Sequence, residues 1–161
     1  MNIEIDWQEP IQLTRGKKVL VDKNGLPDRL ENRPGVYFFG RTYGTLVEPF
    51  YIGETLDLRK RLIQHLGSTK IDHILRQLSD APIKIKNGDR YFHFGYAADH
   101  SLEKAQKKIR IVQRYMIEQA LYENFDIINK QLTRIKTHEI YFNGTKKSRG
   151  IYAKKVSVQR K

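Results

Sequence analysis

The 161-residue chain contains no cysteine, which excludes a disulfide framework, a thiolate zinc site and a cysteine nucleophile. It also lacks any apolar run approaching the ~20 residues that a membrane-crossing helix requires. Residues 1–10 carry Glu4, Asp6 and Glu9 without a basic flank ahead of an apolar stretch, so they do not read as a signal peptide. An intracellular, cytoplasmic setting with no membrane partner is the expectation. No internal repeat or low-complexity block is found. Acidic residues are scarce, with 18 Asp and Glu against 30 Lys and Arg and a formal charge of +12, an excess that points to a polyanionic partner. At 39% hydrophobic and 11% aromatic the chain can build a core, so the charge does not signal a disordered basic tail. The length suits one ordinary domain better than two well-cored ones.

The charge is unevenly spread. Residues 1–34 balance six basic against six acidic side chains, and residues 35–129 carry 14 against 11. Residues 130–161 carry ten basic side chains opposed only by Glu139. Tyr141, Phe142 and Tyr152 are interleaved with that charge, which favours a phosphate-contacting arm over a solvated tail. Lys146, Lys147, Arg149, Lys154 and Lys155 are its expected phosphate contacts.

Three segments follow from patterning: an extension over 1–33, a core over 34–130 and a basic C-terminal segment over 131–161. In the first, residues 17–21 read as a short strand ahead of a turn built on Asn24-Gly25. Val36 to Phe39 and Phe50 to Ile52, bounded by glycine and proline, read as two strands of a hairpin with a nine-residue connection. Thr55 is the expected N-cap of a helix whose buried stripe is Leu58, Leu62 and Leu66, stopped by Gly67. Ser68 can cap a second helix with Ile71, Ile74, Leu75 and Leu78 inward, ended by Ala81-Pro82. Ile83 to Ile85 and Arg90 to Tyr96 flank Asn87-Gly88 as a further hairpin-like element. From near Asp99 or Ser101 to about Phe125 a long helix presents Leu102, Ala105, Ile109, Val112, Met116 and Ala120 as its core stripe. A second, narrower stripe on it carries Ile111, Tyr115, Glu118 and Tyr122. The expected class is α/β of the α+β kind, a small, mainly antiparallel three-stranded sheet flanked by helices.

A basic protein without cysteine could hydrolyse a phosphodiester if it offered an activated water, cationic charge for the transition state and a carboxylate for a divalent ion. Tyr37 and Tyr51 lie on the paired strands beside glycines. Arg61 and His65, four apart, share one helix face. Glu118 stands on a partly apolar face, and Glu123, five residues on, is rotated by about 140° and cannot share it.

Gly35-Val36-Tyr37, Tyr51-Ile52-Gly53 and Leu58-Arg59-Lys60-Arg61-Leu62-Ile63-Gln64-His65 together resemble the GIY-YIG endonuclease family over roughly residues 34–130. The first motif carries valine for isoleucine and the second is literal. The resemblance implies that Tyr37 and Tyr51 are catalytic, one helping to activate water, with Arg61 binding phosphate and His65 assisting. It implies that Glu118 holds Mg²⁺, with Mn²⁺ as a substitute, and that Gly35, Gly53 and Asn129 support the site. Gly150-Ile151-Tyr152 also spells the first motif, but no second motif or arginine helix follows it, and it reads as a strand or tail fragment. Arg59 and Lys60 project away from Arg61 and suit DNA backbone contacts.

The expected function is therefore divalent-metal-dependent DNA endonuclease, of a restriction, mobile-element or phage-defence type. The alternative is a catalytically silent or partner-dependent nucleic-acid-binding module of the same fold. DNA is expected ahead of RNA, although Tyr91, Phe92 and Phe94 on one strand are what an RNA-binding sheet would need. A homodimer or a recruiting protein would supply site choice and the cutting of both strands.

Overall fold

The computed structural model describes residues 2–76, 81, 87–128 and 136–160. Along the chain they form β1 (Ile5–Trp7), β2 (Ile11–Arg15), β3 (Lys18–Val19), β4 (Gly35–Tyr43), β5 (Leu46–Thr55), α1 (Leu58–Leu66), α2 (Thr69–Leu75), β6 (Asp89–Ala97), α3 (Leu102–Tyr122), β7 (Lys136–Tyr141), α4 (Lys146–Arg149) and β8 (Lys155–Arg160). Residues 1–128 and 129–161 are two compact units. Leu78, Pro82 and the expected strand from Ile83 to Ile85 lie outside the described residues.

The first unit is α+β with an antiparallel sheet in the order β3-β2-β6-β4-β5, and β1 pairs β6 beyond β2. The sheet thus has six strands rather than three. β6, β4 and β5 are the expected trio, and the N-terminal segment supplies the rest. Ile5 pairs Ala97, and Ile11 pairs Phe92, so β1 and β2 satisfy the backbone along one edge of β6 that would otherwise be bare.

β4 and β5 form one long hairpin that turns at Gly44 with φ 61°. The nine-residue connection expected from Gly40 and Pro49 does not occur, because these two residues face each other at a register shift within the ladder. β5 is an edge strand, where a proline without an N–H is tolerated at an irregularity.

Side chains alternate across the sheet and build two layers. Tyr37, Phe39, Phe92, Phe94 and Tyr96 face one side, packed with Leu58 and Leu62 of α1, with Ile71, Ile74 and Leu75 of α2, and with Leu26 and Leu30. Val36 and Ala97 face the other, against Ala105 and Ile109 of α3. Leu102, expected in the core stripe of α3, is its first residue and is 60% exposed.

α1 begins at Asp57, whose carboxylate accepts from the Lys60 N–H at 3.0 Å. Thr55, the expected cap, still belongs to β5, and its hydroxyl accepts from the Asp57 N–H at 3.1 Å. Ser101 caps α3, its hydroxyl accepting from the Lys104 N–H, and Ser68 stands at the cap position of α2 without a side-chain bond. In the second unit β7 and β8 pair antiparallel, with α4 in their connection. Among the described residues no helix is long and apolar enough to cross a membrane.

Candidate active site

Two glycines of the motifs make room for what lies across them. Gly53 pairs Tyr37 in the ladder, and a Cβ there would overlap Cζ and Oη of the Tyr37 ring. Any larger residue would lift that ring from its place. At Gly35 a Cβ would strike the Gly95 carbonyl and come within 2.6 Å of Leu58 Cδ1, so glycine here lets β4 approach β6 and α1.

Laid across Gly53, Tyr37 is 1% exposed, and its hydroxyl is 2.7 Å from His65 Nε2. Burial and the charge of Arg61 lower the His65 pKa from 6.5 to about 4, so at neutral pH the imidazole is uncharged. In the tautomer protonated at Nδ1, Nε2 accepts and the Tyr37 hydroxyl donates. Burial above all, and the negative charge that Tyr51 would carry when ionised, push the Tyr37 hydroxyl well above its usual range. Tyr51, half-buried, stacks on Tyr37 at 6.3 Å and meets the His65 ring at 4.8 Å. Burial raises its pKa too, opposed first by the charge of Arg61 and then by its hydrogen bond with Tyr37.

Arg61 stands one turn before His65 on α1, and its charge acts on all three rings. The cluster of Tyr37, Tyr51, Arg61 and His65 thus brings together four of the five expected catalytic residues. Arg61 also lines an open cleft of about 400 Å³ with Glu54, Thr55, Asp57, Lys60 and Arg110. The three cations outnumber the carboxylates of Glu54 and Asp57 by one, and with Arg110 facing Glu54, Lys60 and Arg61 are the charges the cleft offers an anion.

Glu118 is not brought into contact with this cluster. Its exposed carboxylate lies 3.4 Å from Arg114 Nε on its own helix. The carboxylate that acts on the Tyr37 hydroxyl is Glu54, which faces Arg110 at 3.9 Å. Neither Glu54 nor Arg110 was expected. The available signals were the acidic residue directly after Tyr51-Ile52-Gly53 and a basic residue about two turns before Glu118.

Arg59, expected as a DNA contact, is engaged within the fold. Its guanidinium donates to the carbonyls of Pro27 at 2.9 Å and Leu30 at 2.8 Å. It ties the 26–30 loop to α1, and both bonds are made by Nη1. Lys60 is exposed in the cleft, as expected of a phosphate contact. In the second unit Lys146, Lys147 and Lys154 are exposed. Lys155 is paired with Glu139 at 3.0 Å, and Arg149 donates to the Tyr152 carbonyl at 3.2 Å, so these two are partly engaged within the unit. Gly150-Ile151-Tyr152 is a turn after α4 rather than a strand. Asn129 lies outside the described residues.

Among the described residues no three His, Asp or Glu side chains converge as a metal site. Magnesium often takes a single carboxylate and completes its shell with water and phosphate oxygens. Glu118 is exposed but paired with Arg114 at 3.4 Å and does not line the cleft, whereas Glu54 offers a hard oxygen donor within it. Comparison with family models, with curated proteins and with solved structures returns no match.

Proposed function

We propose that the chain is a divalent-metal-dependent DNA endonuclease of the GIY-YIG kind. The observation that carries this reading is the Tyr37–His65 hydrogen bond with Tyr51 stacked on it and Arg61 beside it, opening on a cationic cleft. These are the residues that the motif spacing nominates.

In this reading Arg61 and Lys60 take the oxygens of the scissile phosphate, and Arg61 meets the negative charge that develops on them. Tyr51, the more accessible tyrosine, contacts the attacking water. Its hydroxyl relays a proton to Tyr37, and Tyr37 relays its own to His65 Nε2, so the chain of transfers ends on a neutral base. Arg61 is one of two causes that depress the basicity of His65. A phosphate bound at Arg61 offsets that cause, so His65 becomes a better base when substrate is present. A magnesium ion held through Glu118 would supply Lewis-acid polarisation of the phosphate and the leaving oxygen. Lys146, Lys147 and Lys154 hold the backbone elsewhere on the substrate.

The test is incubation of plasmid and single-stranded DNA with the protein in Mg²⁺, Mn²⁺ or EDTA, beside Arg61→Ala and Glu118→Ala. Metal-dependent cleavage lost in both variants is expected. Wild type and Glu118→Ala behaving alike in all three conditions would refute the mechanism, and a mobility shift without cleavage would favour a silent binding module. The ends of the products separate the roles: a fixed sequence points to restriction or homing, and random ends do not.

A further inference from the structure

Apolar side chains stand exposed where positive charge is densest. Ile151 is 93% exposed and Tyr152 63%, with Lys146, Lys147, Arg149, Lys154 and Lys155 around them in the chain. Single exposed apolar residues are ordinary on protein surfaces, but this one stands on a built turn. The Thr145 hydroxyl accepts from the Ser148 N–H at 3.2 Å and caps α4. Gly150 turns the chain at φ 61°. The Tyr152 N–H donates to the Arg149 carbonyl at 3.2 Å while the Arg149 guanidinium donates to the Tyr152 carbonyl. At the base the Phe142 N–H bonds the Lys154 carbonyl at 2.8 Å, and the Phe142 ring meets Tyr152 edge-on at 6.0 Å. Every one of these bonds lies inside the second unit, so Ile151 is held out at a defined place.

We propose that this turn is a wedge for duplex DNA. Lys146, Lys147 and Lys154 hold phosphates flanking the minor groove, and Ile151 enters between neighbouring base pairs, partly unstacking them and bending the duplex. Charge complementarity selects the partner, since ten basic residues against one acidic residue over 130–161 match a phosphate backbone. An anionic bilayer is the competing surface. Bilayer binding scales with buried apolar area, and beside Ile151 the unit exposes Tyr141, Phe142, Tyr152 and Val156 only in part, whereas a base step needs only one wedge. The inference shares with the proposed function only the choice of DNA as partner and is independent of catalysis.

The full chain is titrated in EDTA with a duplex carrying 2-aminopurine, whose fluorescence rises when stacking is broken. A rise with wild type is expected. Ile151→Ser should abolish it and weaken binding roughly tenfold without changing the dependence of affinity on salt. Lys147→Ala should keep the rise and lower the salt slope by about 0.9. Equal melting temperatures of wild type and Ile151→Ser show that the exposed substitution leaves the fold intact. No rise with wild type, or Ile151→Ser indistinguishable from it, would overturn the wedge. So would Ile151-dependent binding to phosphatidylserine vesicles alongside Ile151-independent binding to duplex. If the Ile151-dependent rise occurs and no cleavage is found with Mg²⁺, the nuclease reading fails and the wedge stands; cleavage without any Ile151 effect gives the reverse.

Discussion

Gly53 shows how a residue with no side chain can set the place of another's ring. The Tyr37 ring occupies the space a Cβ would need, so Gly53→Ala must push the ring off His65 and break the 2.7 Å hydrogen bond. We expect that variant to fold with a lowered melting temperature and to lose most cleavage, a comparison made by thermal melting beside a nicking assay. The histidines set a separate expectation. Burial lowers both His65 and His93 from 6.5 to about 4, so between those values the folded state binds fewer protons than the unfolded chain. Stability is full above pH 6.5 and falls as the pH drops toward 4. Urea midpoints at pH 7, 5.5 and 4.5 should decline in that order. His93→Phe, which keeps a ring stacked on Phe38 at the observed 4.3 Å, should flatten the decline, and an unchanged slope would contradict the assignment.

At the scale of elements, α1 divides its neighbouring arginines between two tasks. Arg61 faces the cleft, while Arg59 bonds the carbonyls of the 26–30 loop. Arg59→Ala should therefore destabilise the fold by about 1–3 kcal/mol and leave DNA affinity nearly unchanged, as measured by urea unfolding and by a binding titration. Spacing alone could not separate these two residues in this way, because the loop that Arg59 reaches is about thirty positions away. What was legible was local: the hairpin strands, the Leu58 and Leu62 stripe, and the alignment of Arg61 with His65 all follow from periods of two and 3.6 residues. The six-stranded sheet was not legible, although β3 falls in the strand expected over 17–21, since β1 and β2 are short and pair β6 across the chain, Ile11 with Phe92. Gly40 and Pro49 misled because two residues that usually end strands are opposed at one irregularity. Glu54 was passed over because its place beside Arg110 depends on how α3 packs against β5, which no local pattern encodes.

Across the whole molecule the surplus of positive charge serves two places. A small share lines the cleft at Lys60, Arg61 and Arg110, and most of it lies on the second unit. Truncation after Ile128 should leave the circular-dichroism signature of the first unit while weakening DNA binding and flattening its salt dependence. An unaltered salt slope would mean that the basic unit does not grip phosphate. The central claim is that the tyrosine, histidine and arginine cluster hydrolyses a phosphodiester, and single-turnover cleavage of an end-labelled duplex in Mg²⁺ by wild type and Tyr51→Phe addresses it most directly. The expected result is cleavage by wild type, and a Tyr51→Phe rate at least ~100-fold lower with DNA affinity retained. A Tyr51→Phe rate equal to that of wild type would contradict it.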